Sequence, residues 1–292
     1  VALPGRIAFN LSKGFWTSFD GEAPTATIIR EEYEASNEYY YAAAIVDKYV
    51  FAATDGGMLH VMPLSDLTDV TVVANLGGVV SDMAYNKADG KLYGVLDNVL
   101  VTIDKLTGAV TEVGTIGVST NTLACDANGT FYCNAIGDAN GTIYSFTLDT
   151  IDAPELLMED PFLTHVDPIM GADMGGTTGN MGMEYNPNTD MICWNSHCEV
   201  LIGSYITYAY YYEIDPENGE FTRYADFWHE MGGLIIPIRG SGDQGWADPT
   251  DKVIAVKLNK DEIDVIRGTT AQLTANVQPW TATDRTVTWT SA

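Results

Sequence analysis

Histidine, acidic and aromatic residues collect in two stretches of the chain, residues 157–180 and 194–208. Aromatic rings can stack on the faces of sugars, and carboxylates can hold hydroxyl groups or a Ca²⁺ ion. The sequence therefore predicts a ligand-binding surface, formed by His165, Asp167, Asp173, Trp194, His197, Glu199 and Tyr205, with Asp160 beside them. Long loops also cover strand edges, so the alternative interpretation is that these side chains are solvated and bind nothing.

Two further motifs match the sequence pattern of a binding site, one for a dinucleotide and one for zinc, but each lacks a feature that binding requires. Residues 240–245 (GSGDQG) fit G-x-G-x-x-G, which binds a dinucleotide only where a helix begins at the glycines. Trp246 to Pro249 follow and do not continue as a helix, so this stretch is interpreted as a linker. Cys193, His197 and Cys198 supply three soft ligands, one fewer than a structural zinc needs. We therefore predict no required cofactor, and leave a Ca²⁺ ion open.

The charge of the chain excludes two classes of partner. Lys and Arg number 14 and Asp and Glu number 40, which gives a net charge of −26. Such a field repels phosphate backbones and anionic lipid head groups, so no nucleic-acid partner and no peripheral membrane role is expected. No apolar run approaches the roughly 18 residues that span a bilayer, so the chain is not expected to be membrane-embedded. Cations, neutral glycans and basic proteins are the favoured partners.

Neither catalysis nor a disulfide framework has a specific signal in the sequence. With 40 acidic residues, some carboxylates will lie close together by chance, and nothing in the linear order selects a pair. No catalytic residue is therefore predicted. The four cysteines are too few for a disulfide scaffold, although Cys125 with Cys133, and Cys193 with Cys198, are close enough in sequence for a bridge to remain open.

The elements that must position these residues form a repeat. Ala44, Ala84 and Ala124 lie 40 residues apart, each within a phrase that predicts strand, polar turn and strand; a fourth phrase places Glu184 60 residues later. A second phrase recurs as IDKLTG and IDPENG, in which an Asp opens a turn and a Gly closes it in the left-handed conformation. Two hairpins per unit give four short strands, which is the composition of a β-propeller blade.

Five blades are predicted within residues 1–239. Four of them correspond to the repeat units at about 39–78, 79–118, 119–178 and 179–231. The fifth combines predicted strands at 6–11, 15–19 and 25–30 with an inner strand at 234–238, from the far end of the domain. Such pairing would close the ring and hide the strand edges. The predicted fold class is therefore all-β.

The composition changes after a Gly, Asp and Pro-rich linker at 240–252. In residues 253–292 the apolar positions alternate with polar ones, as in half-buried strands of a sandwich. The segment resembles the bacterial Ig-like group 2 (BIG2) module in four phrases: Val256-x-Leu258, Gly268-Thr269-Thr270-x-Gln272-Leu273, Val277-x-Pro279 and Val287-Thr288-Trp289-Thr290-Ser291. The resemblance covers about forty residues and implies the N-terminal half of an Ig-like sandwich. The repeats before it resemble the propellers found beside such modules in secreted and surface-anchored bacterial proteins.

Propeller geometry predicts where the two stretches rich in histidine, acidic and aromatic residues lie. The loop from the outer strand of one blade to the inner strand of the next opens on the same face as the loop between the second and third strands. Residues 157–180 and 194–208 occupy these two positions, so together they would form one rim.

The function predicted from these features is non-catalytic binding or adhesion, by a protein that is secreted or displayed at a bacterial cell surface. The rim would bind a glycan or protein ligand, and the Ig-like module would act as a spacer. One alternative is a carbohydrate-active enzyme, a glycosidase or lyase, with acids of perturbed pKa in its central funnel. The other is a purely structural surface-layer component.

Overall fold

The computed structural model describes residues 6–11, 14–19, 27–28, 39–137, 141–160, 181–202, 204–226 and 230–237, and from the C-terminal segment residues 255–258, 265, 270, 272–273, 275–278 and 286–290. Every regular element within these residues is a β-strand, and the strands include five sheets of four. The five sheets are the blades of a β-propeller, so the predicted all-β propeller is confirmed. The described residues include no helix that is long and apolar enough to cross a membrane.

The strands follow the chain in blade order. Blade 1 contains β1 (Arg6–Asn10), β2 (Phe15–Phe19) and β3 (Thr27–Ile28); blade 2 contains β4 (Tyr40–Val46), β5 (Tyr49–Thr54), β6 (Met58–Pro63) and β7 (Thr71–Asn75). Blade 3 contains β8 (Val80–Asn86), β9 (Lys91–Leu96), β10 (Val99–Ile103) and β11 (Val110–Thr115). Blade 4 contains β12 (Ala124–Cys125), β13 (Phe131–Asn134), β14 (Thr142–Phe146) and β15 (Glu155–Glu159).

Blade 5 carries an inserted hairpin. Its four strands are β16 (Gly182–Asn186), β17 (Met191–Asn195), β20 (Tyr210–Ile214) and β21 (Phe221–Asp226). Between its second and third strands lie β18 (Cys198–Ile202) and β19 (Ser204–Tyr208), which pair only with each other. The extra length predicted at 194–208 is therefore present as an antiparallel hairpin.

The ring closes through a strand from the far end of the propeller. β22 (Met231–Ile235) pairs with β1 and becomes the innermost strand of blade 1. The prediction placed this strand at 234–238, three residues too late. Gly232 and Gly233 belong to the strand since they pack against the backbone of β4, where a Cβ on Gly232 would lie 2.9 Å from the carbonyl oxygen of Tyr41.

Five apolar clusters fill the five spaces between neighbouring blades. Phe51 and Val101 pack between blades 2 and 3, for example, and Phe131 packs between blades 3 and 4. Because both faces of a blade are covered, consecutive residues of its strands are buried. In β5 (Tyr49–Thr54), the second strand of blade 2, only Tyr49 has some exposure. Burying each such large side chain contributes about 1.5–3 kcal/mol.

The repeated Asp-x-x-x-Gly turn has the predicted conformation. Gly108 and Gly219 have φ angles of 67° and 72°, in the left-handed region. In each turn the glycine N–H donates to the backbone oxygen of the opening residue, Asp104 or Asp215, at 2.7 and 2.9 Å. The carboxylates of these aspartates accept hydrogen bonds from backbone N–H groups two residues on, which fixes the turn.

A polar cluster joins blade 1 to blade 5. The Arg6 guanidinium on β1 forms an ion pair with Glu213 on β20, and its Nε donates to the Tyr211 hydroxyl at 2.8 Å. Tyr224 donates to the other Glu213 oxygen at 3.1 Å. We call Arg6, Tyr211, Glu213 and Tyr224 the seam cluster, because it ties the N-terminal strand of the ring to the last complete blade.

In the C-terminal segment the described strands are β23 (Ala255–Leu258) and β24 (Ala275–Gln278), which pair antiparallel with Val256 opposite Val277. β24 contacts β7 of blade 2. Both strands lie within the phrases that resemble the Ig-like module. A sandwich is not present in the described residues, so the Ig-like domain stays a prediction, and the linker predicted at 240–252 lies outside them.

Candidate functional site

The central channel opens into a pocket at one end of the ring. The inner strands β22, β4, β8, β12 and β16 surround the axis, and each ends at this mouth. The pocket has a volume of about 240 Å³ and is lined by Ile45, Asp47, Leu64, Tyr85, Lys87, Cys125, Asp126, Glu184, Tyr185, Pro187 and Ile236. All five blades contribute, chiefly through the turns between their first and second strands. In the described part of the predicted rim, β17 ends at Asn195, which pairs with Gly182 at the start of β16, so the β18–β19 hairpin leaves the blade at the opposite end of the ring.

Glu184 is the residue of this pocket that departs from the repeat. It occupies the place of Ala44, Ala84 and Ala124 in the other repeat phrases. Its side chain is half-buried, and Oε1 accepts a hydrogen bond of 3.1 Å from the backbone N–H of Tyr185. Burial raises the pKa of Glu184 to about 8, against the opposing effects of that hydrogen bond and of the Lys87 ammonium. The carboxyl group is therefore largely protonated at neutral pH and able to donate as well as accept.

A second carboxyl group lies deeper, on the axis. Asp82 on β8 is fully buried, and its Oδ2 accepts from the backbone N–H groups of Leu123 and Met183 at 2.9 and 3.0 Å. Its Oδ1 accepts from Met83 at 2.9 Å. Asp82 thus joins the inner strands of blades 3, 4 and 5 through backbone N–H groups that face the axis. Burial and the charge of Glu184 raise its pKa, against the lowering effect of the three N–H donors.

The other acids of the pocket have different roles. Asp126 accepts from the N–H groups of Asn128 and Thr130 at 2.9 and 2.8 Å and from the Tyr132 hydroxyl at 3.3 Å, so it builds the β12–β13 turn. Asp47, in the β4–β5 turn, has a φ angle of 56° and is half-buried. Asp126 is therefore held by its own turn, and Glu184 is the pocket acid best placed to meet a ligand.

Two tyrosine rings complete the wall. Tyr85 and Tyr185 are half-buried at equivalent positions of β8 and β16. The Lys105 ammonium lies 4.8 Å from the centre of the Tyr85 ring and donates to the backbone oxygen of Gly90 at 2.7 Å. Tyr85 thus already holds one ammonium group of the chain itself, and its pKa is raised, mainly by burial and further by Asp47 and Asp89.

Metal and thiol chemistry find little support in this pocket. Within the described residues, no three His, Cys, Asp or Glu side chains converge as metal ligands would. Cys125 is buried, and burial raises its pKa, so the thiolate needed for nucleophilic attack is scarce. Cys125, Cys133 and Cys193 are free thiols, so neither of the two bridges left open by the sequence is formed.

The structure places Trp194 in the core, which corrects its predicted role. The indole is fully buried in β17 and packs against Tyr212, with ring centres 4.9 Å apart. Its Nε1–H has no hydrogen-bond partner. A ring enclosed between blades 4 and 5 cannot stack on a sugar, because no face meets solvent. His197 is also buried, with 3% of its surface exposed.

The remaining residues of the predicted rim divide into two groups. Asp160 is buried and accepts from the Tyr212 hydroxyl at 2.9 Å and from Arg223 at 2.6 Å, so it fixes blade 5 to blade 4. Glu199 and Tyr205 lie on the β18–β19 hairpin, but their side chains are outside the described set, as are residues His165, Asp167 and Asp173 as a whole. The rim as a binding surface stays a prediction.

The pocket itself was not predicted. Its lining comes from the strand ends and turns of five blades, which the repeat pattern indicated only as strands and connections. One signal was present, because Glu184 breaks the run of alanines at a repeat position. It served there only to align the fourth phrase.

Comparison with known proteins assigns no family to the chain. No family model matches the chain, and no curated protein matches it. Among solved structures, a structural genomics protein of unknown function from Bacteroides thetaiotaomicron is similar with a TM-score of 0.42 and 16% identity, over 75% of this chain and 49% of that one. The extracellular domain of a hybrid two-component system from the same organism is similar with a TM-score of 0.37 and 14% identity, over 78% and 29%.

A third solved structure is named as a propeller. The β-propeller domain of Cps50 (Swd1) from Myceliophteria thermophila is similar with a TM-score of 0.33 and 10% identity, over 66% of this chain and 63% of that one. The chain spans about half or less of the length of the first two structures. At these scores the comparisons assign no function, and the propeller assignment stands on the strand order of the five blades.

Proposed function

We propose that this chain is a non-catalytic extracellular binding protein of a bacterium, and that its ligand site is the pocket at the channel mouth. The observation that carries the proposal is this pocket, about 240 Å³ in volume, with Glu184 inside it. Its volume lies just below the range of roughly 300–1,000 Å³ that drug-sized ligands occupy. The ligand is therefore small, or is one group of a larger glycan or protein.

The construction of the pocket supports binding. Its lining residues lie mostly at the ends of the inner strands of five packed blades and in the turns that follow, so the site is formed before a ligand arrives and little conformational entropy is lost on binding. Apolar side chains such as Ile45, Leu64 and Ile236 stand beside the ring of Tyr185 and the carboxyl group of Glu184. Apolar walls with a few convergent polar groups are typical of ligand sites.

The sequence contributes the cellular setting of this proposal. The BIG2-like phrases support a secreted or surface-displayed protein in which the C-terminal module acts as a spacer. The predicted rim is kept as a separate second binding surface, at the end of the ring opposite the pocket, through Glu199 and Tyr205 on the β18–β19 hairpin.

A blocking variant tests where a ligand binds. The 292-residue chain would be screened on a glycan array and by thermal shift against small polar molecules. Leu64→Trp fills the pocket from a half-buried position, while Val113→Trp adds the same ring at an exposed position of β11. We expect binding to be lost in Leu64→Trp and kept in Val113→Trp. Loss in Tyr205→Ala with Leu64→Trp unaffected would move the site to the rim.

The pKa of Glu184 favours a second candidate function, a glycosidase or lyase. A carboxylic acid that keeps its proton near pH 7 is suited to act as a general acid, and a pKa of about 8 gives Glu184 that property. This candidate requires turnover of a polysaccharide that the pocket binds. Product release by the wild type, abolished in Glu184→Gln while binding persists, would establish it; binding without turnover supports the binding protein.

A further inference from the structure

We propose that the pocket at the channel mouth recognises a primary aliphatic ammonium group, seated between the Glu184 carboxylate and the rings of Tyr85 and Tyr185. This inference rests on the proposed function and deepens it, since it names the chemical class of the ligand. The ammonium group belongs to a small amine or to a lysine side chain of a bound protein.

The charge around the pocket favours a cation. Asp47 and Asp126 line it, joined by Glu184 once that carboxyl group has ionised; Lys87 is the one lysine among the lining residues and is exposed at the edge, while the Lys105 ammonium lies against the Tyr85 ring. Among the described residues, Glu184 has one hydrogen bond, from the backbone N–H of Tyr185 to Oε1, and none to Oε2. Asp82 lies below, and burial raises its pKa and favours its neutral form, so Asp82 is not counted among these charges. With a net charge of −26, the whole chain also attracts cations towards this opening.

One tyrosine ring of the pocket wall, Tyr85, already contacts an ammonium group of the chain itself. Lys105 places its Nζ 4.8 Å from the centre of the Tyr85 ring, close enough for a cation–π interaction. Tyr185 holds the matching position on β16 and carries no such lysine contact among those described. A tyrosine ring beside a carboxylate is a suitable seat for an alkylammonium group, because the ring contacts the methylene groups and the carboxylate accepts the N–H bonds.

An ammonium group fits this donor set better than a metal ion. Ca²⁺ takes six to eight oxygen ligands, and no group of three acidic, histidine or cysteine side chains converges among the described residues. Asp126 has its oxygens engaged by its own turn. A primary ammonium group has three N–H donors that can be shared among a carboxylate, a hydroxyl and a backbone oxygen without a fixed polyhedron.

The proton on Glu184 makes this binding depend on pH. The carboxyl group must ionise to hold a cation, and its pKa is about 8. The titratable groups around it are Asp82, Tyr85 and Lys87 from β8 and the turn after it, Cys125 and Asp126 from blade 4, Tyr185 and Cys193 from its own blade, and Asp47 from blade 2. An alkylamine stays protonated to about pH 10. Affinity is therefore expected to rise by up to tenfold per pH unit below pH 8, and to fall above pH 10.

The test compares charged probes with matched neutral ones. NMR titrations of the full chain would measure dissociation constants for n-butylamine against 1-butanol, and for Nα-acetyl-lysine N-methylamide against its Nε-acetylated form. At pH 9 we expect each amine to bind at least tenfold more tightly than its neutral partner. The stronger of the two amines shows whether a free amine or a lysine side chain is the better source.

Three variants locate the effect. Glu184→Gln removes the charge and keeps the shape, so amine affinity should fall at least tenfold and its pH dependence between 6 and 9 should vanish. Glu112→Gln makes the same change at an exposed position of β11 and should alter nothing. Lys87→Gln removes the repelling cation from the surface and should strengthen amine binding at pH 9, which keeps the test valid if Glu184→Gln folds poorly.

The outcomes separate this inference from the proposed function. If a neutral molecule binds in a manner blocked by Leu64→Trp while the amines do not bind, the ammonium inference is overturned and the pocket stands. If the amines bind equally well to Leu64→Trp, they occupy another surface and the inference fails. If no probe and no screened molecule binds the wild type, both are overturned.

Discussion

Glu184 shows how one substitution in a repeat creates a chemical group that its neighbours lack. Three inner strands carry alanine at this place, and the fourth carries a carboxyl group whose pKa is about 8. The folded chain keeps this proton when the unfolded chain, with a pKa near 4.5, has lost it. Glu184 therefore contributes stability that is fully present below pH 4.5 and is lost as pH rises through about 8.

The variant Glu184→Gln should remove this loss. We expect the free energy of unfolding of the wild type to fall between pH 5 and pH 9 by at most about 1.4 kcal/mol for each pH unit over which only the folded state holds the proton. The variant should fall less over the same range, and the control Glu112→Gln should match the wild type. Urea unfolding at pH 5, 7 and 9 measures this, and equal slopes for all three proteins would contradict the assigned proton.

Asp82 allows a sharper test of a buried acceptor. Removal of its oxygens in Asp82→Ala leaves the N–H groups of Leu123 and Met183 without the acceptor they now have. Each such loss costs about 1–3 kcal/mol. Asp82→Asn retains one acceptor oxygen and should cost less than Asp82→Ala. Chemical denaturation of the three proteins at pH 7 gives the order, and a more stable Asp82→Ala would show that the carboxyl group does not hold the strands.

At the scale of elements, the sequence predicts the blades well and the exposure of their side chains poorly. The alanine spacing and the Asp-x-x-x-Gly turns indicate the strands correctly, because hairpins leave local signals. Trp194 was assigned to a rim loop, yet it belongs to β17 and is enclosed. Ile192 and Cys193 are buried beside it on opposite faces, since blades cover both sides, and no alternation in the sequence marked which face was exposed.

The pocket could not be predicted for a different reason. Its lining residues include Ile45 and Ile236, from opposite ends of the propeller, which meet only because the ring closes. The pairing of β22 with β1 was predicted, but strand pairing alone does not specify which side chains the closed ring brings to the mouth of the channel. Only Glu184 stood out in the linear order, as an exception to the alanine repeat.

The seam cluster makes a prediction about the joining of elements. Arg6→Met leaves the Glu213 carboxylate, with 15% of its side chain exposed, without its ion-pair partner. We expect a loss of about 3 kcal/mol in the free energy of unfolding. The double variant Arg6→Met/Glu213→Leu should recover much of it, because no unpaired charge remains. Denaturant titrations form the double-mutant cycle, and additive losses would show that the two side chains do not act together.

For the whole molecule, the net negative charge lowers the stability of the folded state. A net charge of −26 on 292 residues produces self-repulsion in the folded state that salt screens. We expect the melting temperature to rise between 10 and 300 mM NaCl, by about 2–4 °C for each kcal/mol of repulsion removed. CaCl₂ at matched ionic strength tests the calcium ion left open by the sequence. A further rise that EDTA reverses would indicate a specific Ca²⁺ site, and equal curves would argue against one.

The pairing of β22 with β1 also determines when the ring can close during synthesis of the chain. Strands β1, β2 and β3 of blade 1 are synthesised early. The innermost strand of that blade, β22, is synthesised only after the roughly 200 residues that separate it from β3. At ordinary rates of synthesis this takes about 10–40 s. Until then, β1 has an unpaired edge and the five inner strands have no complete circle. The nascent propeller therefore stays an open arc until β22, the last strand of its five sheets to be made, completes the first blade.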